Sequence, residues 1–192
     1  MNKGYAEYNA KRDLYIPSYR QLSNYSHLIN MSKNGFYVHS ASDLPKTLAR
    51  VAQIVENDNR QVSKLAQHLK ADTHIQSAYN VWHFLKMNIN YRKDTLGLEE
   101  IRDCERSYYD RRIGIDCEDF TVFAASLMLQ MGYKASMYVV DYDNKNNEYD
   151  HIFAVTGEYI IDPVWSIFNE EPTSKKIEEK TLKYEFYTNR AR

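Results

Sequence analysis

Three side chains able to open an amide bond occur in a telling order along this 192-residue chain. Cys117 stands within GIDCEDFTVFAASLMLQMGY, His151 opens HIFAV, and Asp162 closes YIID. A thiol nucleophile needs a base to take its proton, and that base needs a third group to hold its tautomer and orientation. Cys117 directly precedes an apolar-periodic run. A thiol at a helix entrance lies near free backbone N–H groups and the positive end of the macrodipole, which favours thiolate. Asp116, Glu118 and Asp119 crowd the same thiol with negative charge and oppose that effect. Each residue alone has a plainer reading. Free cysteines commonly pack in cores, a histidine at a strand start is commonly a surface or core residue, and Asp before Pro commonly ends a strand.

The elements that must position these groups can be read from pattern. Asp116 is placed to cap a helix, with Asp119 three residues on in a capping-box position. Phe120, Phe123, Ala124, Leu127 and Met131 form its buried stripe, and Gly132 suits the C′ position. ASMYVVDYD alternates as a strand, DNKNNE is a turn, and HIFAV and YIIDPVW are two further strands around TGE. A two-residue loop of Gly157 and Glu158 sets Thr156 opposite Tyr159 and Phe153 opposite Asp162. His151 and Asp162 then share a sheet face as diagonal neighbours, whereas one more loop residue would separate them. Gly in first place suits a type II′ turn, so the productive register is favoured.

Upstream, PKTLARVAQIVEN reads as a helix from Pro45 and QVSKLAQHLKA as a second, short one. A longer helix follows, capped by Asp72 or Thr73, with Ile75, Ala78, Trp82, Leu85 and Ile89 on one stripe. Residues 90–112 read as a polar connection with one short helix around Leu98–Arg106. Helices first and an antiparallel sheet second make an α+β fold.

The succession G-I-D-C-E-D-F, an apolar helix ending in M-G-Y, a strand, D-H-I-F-A-V and Y-I-I-D-P-V-W resembles the transglutaminase-like superfamily, a branch of the papain-like cysteine fold. The upstream helix ending in N-I-N-Y resembles it too, so the likeness runs over residues 75–166. The resemblance implies a papain/transglutaminase-like core with Cys117 at the N-terminus of the central helix. It implies Cys117 as nucleophile, His151 as general base and acid, and Asp162 as orienting carboxylate. It further implies a peptide or protein substrate; it implies no cofactor, although calcium sites occur in some relatives. The backbone N–H of Cys117 is one candidate oxyanion donor.

Composition bounds the alternatives. With 25 basic and 26 acidic residues there is no electrostatic footprint for nucleic acid. No apolar run has the length of a membrane span and the start lacks a signal-peptide h-region, so a cytoplasmic protein is expected, or a virion component if the source is viral. Two cysteines without close-spaced partners imply neither a disulfide framework nor a structural zinc site. The acidic stretch 141–148 lacks the spacing of an EF-hand loop. Cys104 reads as a packing or exposed thiol. Arg111 and Arg112 read as partners of Asp110 and Asp116, or as a steer for an acidic substrate. Tyr108 and Tyr109 read as cleft-lining or packed residues.

The chain divides into a Tyr-rich arm at 1–44, a domain at 45–170 and a charged tail at 171–192. The arm has no sustained period. It is expected to touch the core little and to embrace a protein partner or neighbouring subunit. Two function classes stand. One is a cysteine hydrolase or acyltransferase working through a thioester. The other is a structural or assembly protein, such as a phage virion component, on the same fold with little or no activity.

Overall fold

The computed structural model describes residues 24–30, 35–40, 44–140, 151–170 and 182–185. Strand β1 (Phe36–Ser40) is followed by helices α1 (Leu44–Asp58), α2 (Ser63–Leu69) and α3 (His74–Asn88). Strand β2 (Leu98–Arg102), helix α4 (Cys104–Tyr109) and helix α5 (Cys117–Gln130) come next, then strands β3 (Ser136–Val140), β4 (His151–Thr156), β5 (Tyr159–Ile161) and β6 (Leu182–Glu185). Helices packed on small antiparallel sheets make this an α+β fold. β1 and β2 pair antiparallel, and the larger sheet has the antiparallel order β5-β4-β3-β6. Among the described residues no helix is long and apolar enough to cross a membrane.

α5 is the axis of the molecule. Its expected stripe is buried, but so is every other residue from Glu118 to Leu129, because α1 to α4 contact it from one side and β4 from the other. A helix surrounded in this way needs no polar face. At its end, Gly132 takes φ +91°. There the N–H groups of Gly132 and Tyr133 reach back to the carbonyls of Leu129 and Met128, closing a Schellman motif. α3 is capped by Thr73, whose Oγ1 accepts from Gln76 N–H at 3.3 Å. It buries Ala78, Trp82 and Leu85 as the stripe requires, with Ile75 partly buried.

Two expectations need correction here. The stretch around Leu98–Arg106 is not one short helix. Leu98–Arg102 is a strand, and the helix begins only at Cys104. LEEIR carries good helix formers, but pairing with β1 overrides that weak local preference. Nor do the described parts of the N-terminal arm avoid the core. Tyr25 and Ile29 are buried, Tyr25 N–H donates to Tyr108 Oη at 2.8 Å, and the Tyr25 ring meets Phe84 edge-on. Single aromatic anchors hold this segment, and these leave no periodic trace. Within the charged tail, Leu182–Glu185 adds a strand beside β3. The expected turn DNKNNE lies outside the described residues.

Candidate active site

The β4–β5 hairpin has the register that side-chain alternation demands. Thr156 pairs with Tyr159 and Ala154 with Ile161 around a loop of Gly157 and Glu158. Gly157 takes φ +62°, and Glu158 is not in the left-handed region, as a type II′ turn requires. Asp162 therefore falls beside His151, and His151 Nε2 lies 2.5 Å from Asp162 Oδ2. The other carboxylate oxygen accepts Val164 N–H at 3.0 Å, so both Asp162 oxygens are engaged. Behind them, Trp82 Nε1 donates to the Asp162 carbonyl, and Lys86 Nζ donates to the carbonyls of Pro163 and Val164. α3 thus braces the turn that carries the carboxylate. The His151 ring sits near Phe153 and stands edge-on to Trp165.

Cys117 is the first residue of α5, as its flanking residues imply. It shares a cavity of about 180 Å³ with His151 and Ile152 at the start of β4. So the structure sets the thiol against the start of β4, where the imidazole stands. The thiol is held neutral. Burial pushes it well above its ordinary range, with Glu118 and Asp116 adding to the rise and the Ile152 N–H opposing it. Its S–H donates to Glu118 Oε2 at 3.5 Å. The dipole advantage expected at a helix entrance is outweighed.

The cap differs in detail from expectation. Asp116 Oδ1 accepts Cys117 N–H at 2.8 Å. The candidate oxyanion donor is therefore already engaged. Asp119 does not reach back to complete a capping box. It turns inward to Arg102, accepting from its backbone N–H at 2.6 Å and from Nη1 at 2.7 Å. Charge complementarity in a buried setting wins over the cap. The pairing expected of Arg111 and Arg112 is also replaced. Asp110 is taken by Arg102 and Arg106, while Arg111 donates to the Tyr108 carbonyl and stacks over the Tyr108 ring. Tyr108 is core, Tyr109 is exposed, and Cys104 is a buried thiol pushed up by burial.

Several groups at the site carry no local sequence signature. Tyr91 lines the cavity because residues 90–92 run alongside the approach to α5, with Arg92 N–H donating to the Ile115 carbonyl and Ile115 N–H to that of Asn90. Its half-exposed phenol is pushed upward, first by partial burial and then by the charge of Asp116. Glu99 enters the cavity wall from β2, and burial with Asp94 and Asp116 raises its carboxyl to about 7. Glu118 is raised well above its usual range, first by burial and then by Asp119 and Asp116.

A family model described as a transglutaminase-like domain matches residues 60–183. The chain belongs to the transglutaminase-like family. No curated protein and no solved structure matches it. The transglutaminase-like match takes in α3, Tyr91, Cys117, His151 and Asp162, and it runs into β6, past the boundary at 170 read from composition. β1 and α1 precede it, yet both pack with the domain, β1 on β2 and α1 on α5.

Proposed function

We propose that this transglutaminase-like domain is a cysteine hydrolase or acyltransferase that opens peptide or glutamine amides through a thioester on Cys117, in a papain-like arrangement. The observation that carries this reading is the carboxylate-bound imidazole sharing a cavity with a thiol at a helix start. With Nε2–H donated to Asp162, Nδ1 of His151 is left as the base. Because burial and acids keep the thiol protonated, His151 removes the proton as sulfur attacks the carbonyl carbon. The same imidazolium then protonates the leaving amine, the C–N bond breaks, and a thioester remains. Water resolves it in hydrolysis and a second amine in transfer, again with His151 taking the nucleophile's proton. With Cys117 N–H bonded to Asp116, the Tyr91 phenol is the side-chain donor for the oxyanion in this reading, and its raised pKa keeps it a donor.

A vinyl-sulfone or thiol-reactive amide probe tests the proposal by peptide mass. Cys117 should label well ahead of Cys104, His151→Ala should abolish that preference, and Cys117→Ser should abolish turnover. Equal, sluggish labelling of both thiols would overturn the enzyme reading in favour of an assembly protein on the same fold.

A further inference from the structure

We propose that the first turns of α1 give the cavity an aliphatic subsite, so that the amide opened at Cys117 is a peptide amide whose acyl residue carries an uncharged aliphatic side chain of leucine size. The inference rests on the catalytic reading for its reaction and names the substrate class within it. Leu44, Thr47 and Leu48 line the cavity together with Cys117 and His151. Their spacing of three and four sets them on one face of α1, and Val51 and Val55 carry that stripe on into the core. Thr47 is buried, whereas Leu44 and Leu48 are half-buried. Val139 and Ile152, register partners on β3 and β4, line the same cavity and are both buried. Four aliphatic side chains therefore form one end of the cavity, directly beside His151.

A half-exposed leucine on an open helix face means little. Inside a concave site beside a nucleophile, two of them are apolar surface that a substrate side chain gains by covering. The cavity, about 180 Å³, is smaller than the pockets of about 300–1,000 Å³ that enclose drug-sized ligands, so it takes one side chain and the amide next to it. A glutamine side chain offers only an unbranched methylene stem there and brings a polar backbone behind it, so the subsite favours peptide amides. Glu99, Asp116 and Glu118 line the cavity as well, with Lys93 in an exposed position, and this acidic lining disfavours an anionic side chain. The family match begins at residue 60, so α1 lies outside it and yet supplies three of the lining residues. The subsite thus belongs to this chain rather than to the matched domain.

The test uses the full chain carrying Cys117→Ala, so no turnover is needed. N-acetyl amides of leucine, glycine and aspartate are titrated and followed by backbone amide NMR shifts. The leucine amide should bind about tenfold or more tightly than the glycine amide, the worth of one well-covered aliphatic side chain. The aspartate amide should bind more weakly than the glycine amide. Adding Leu48→Ala should cut the leucine advantage by about fivefold and leave the glycine affinity unchanged. Leu48→Trp should block the leucine amide and still admit the glycine amide, because it fills the same space. Leu44→Ala, at the first residue of α1, repeats the truncation should either Leu48 variant melt early. Equal affinities for the leucine and glycine amides, or a leucine advantage that survives both Leu48→Ala and Leu44→Ala, would overturn the subsite. The Cys117 labelling experiment reports on the catalytic reading separately. Leucine selectivity without labelling upholds the subsite and rejects the enzyme, and labelling without selectivity does the reverse.

Discussion

On the sheet side of the cavity, His151 meets Asp162 at 2.5 Å and both oxygens of that carboxylate have donors. On the loop side, Asp94 and Glu118 each bury an oxygen that has none. The two sides are of similar chemistry, carboxylates beside a catalytic candidate, yet the Asp162 carboxylate is fully satisfied and those of Asp94 and Glu118 are not. Satisfied polar groups in a low-dielectric setting hold one geometry, whereas unsatisfied ones keep a standing free-energy cost that a ligand or a proton can relieve. The sheet side is thus suited to orienting a base and the loop side to receiving something.

The largest effects should come from breaking the satisfied side. Asp162→Asn keeps an oxygen for Val164 N–H and leaves the carbonyl that Trp82 holds, so the fold should survive. The His151 tautomer would be wrong, and turnover should fall by about 10⁴-fold. Inserting one residue between Gly157 and Glu158 should be as damaging, because it moves Asp162 to the other face. Measured kcat within about tenfold of the parent for either variant would remove the triad assignment.

Next in size is Arg102, the cation that the acidic side does have. Its side chain is 2 % exposed and it meets Asp119, Asp110 and Glu100. Arg102→Met should leave Asp119 buried without its partner, while Asp110 keeps Arg106, and cost about 3–5 kcal/mol, a drop in Tm of roughly 10 °C. A calorimetric Tm close to that of the parent would mean the acids are held by other means.

The contrast between the sides also explains what was legible beforehand. The hairpin is local: alternation, a two-residue loop and a leading glycine together set His151 beside Asp162. The entrance of α5 is local too, since Asp116 and the apolar run mark Cys117 as its first residue. The acidic side is assembled from positions 94, 99, 116 and 118, drawn from a loop, a strand and a helix start. Only tertiary pairing of β2 with β1, and of residues 90–92 with the approach to α5, brings them together. Tyr91 ends N-I-N-Y without a chemical signature of its own, because its role depends on that lateral contact. Asp119 misled for the opposite reason. Its spacing fits a capping box, but a buried arginine from 17 residues away is a stronger partner than a cap.

Tyr91→Phe probes the junction of the two sides. The phenol lines the cavity beside Asp116, which holds Cys117 N–H. If Tyr91 donates to the developing oxyanion, its loss should lower kcat by about 10²-fold with little change in KM. A change in KM alone would make Tyr91 a binding residue and leave the oxyanion donor elsewhere.

The smallest expected effect concerns stability against pH, and its sign should differ between the sides. Glu99 titrates near 7 in the folded chain, raised first by burial and then by Asp94 and Asp116. An unfolded glutamate titrates near about 4.3. Between those values the folded state holds more protons, so this contribution is full at low pH and is lost as pH rises through 7. On the sheet side, His74 Nε2 bonds Thr156 Oγ1 at 2.7 Å and its ring stacks on Tyr133. Burial lowers its pKa below 6.5, with Glu158 opposing. Here the unfolded chain takes the proton first, so stability falls as pH drops below 6.5 and levels off once the folded imidazole is also charged. His83, lowered by burial, adds to the same limb. Both sides are partly open to solvent, so shifts in Tm of a few degrees at most are expected. Thermal melts should show Glu99→Gln removing the loss of stability between about pH 4.3 and 7, and His74→Gln partly removing the opposing fall below pH 6.5. A loss between those values unchanged by Glu99→Gln would mean that the loop side carries no burial strain of its own, and the contrast between the two walls would fail.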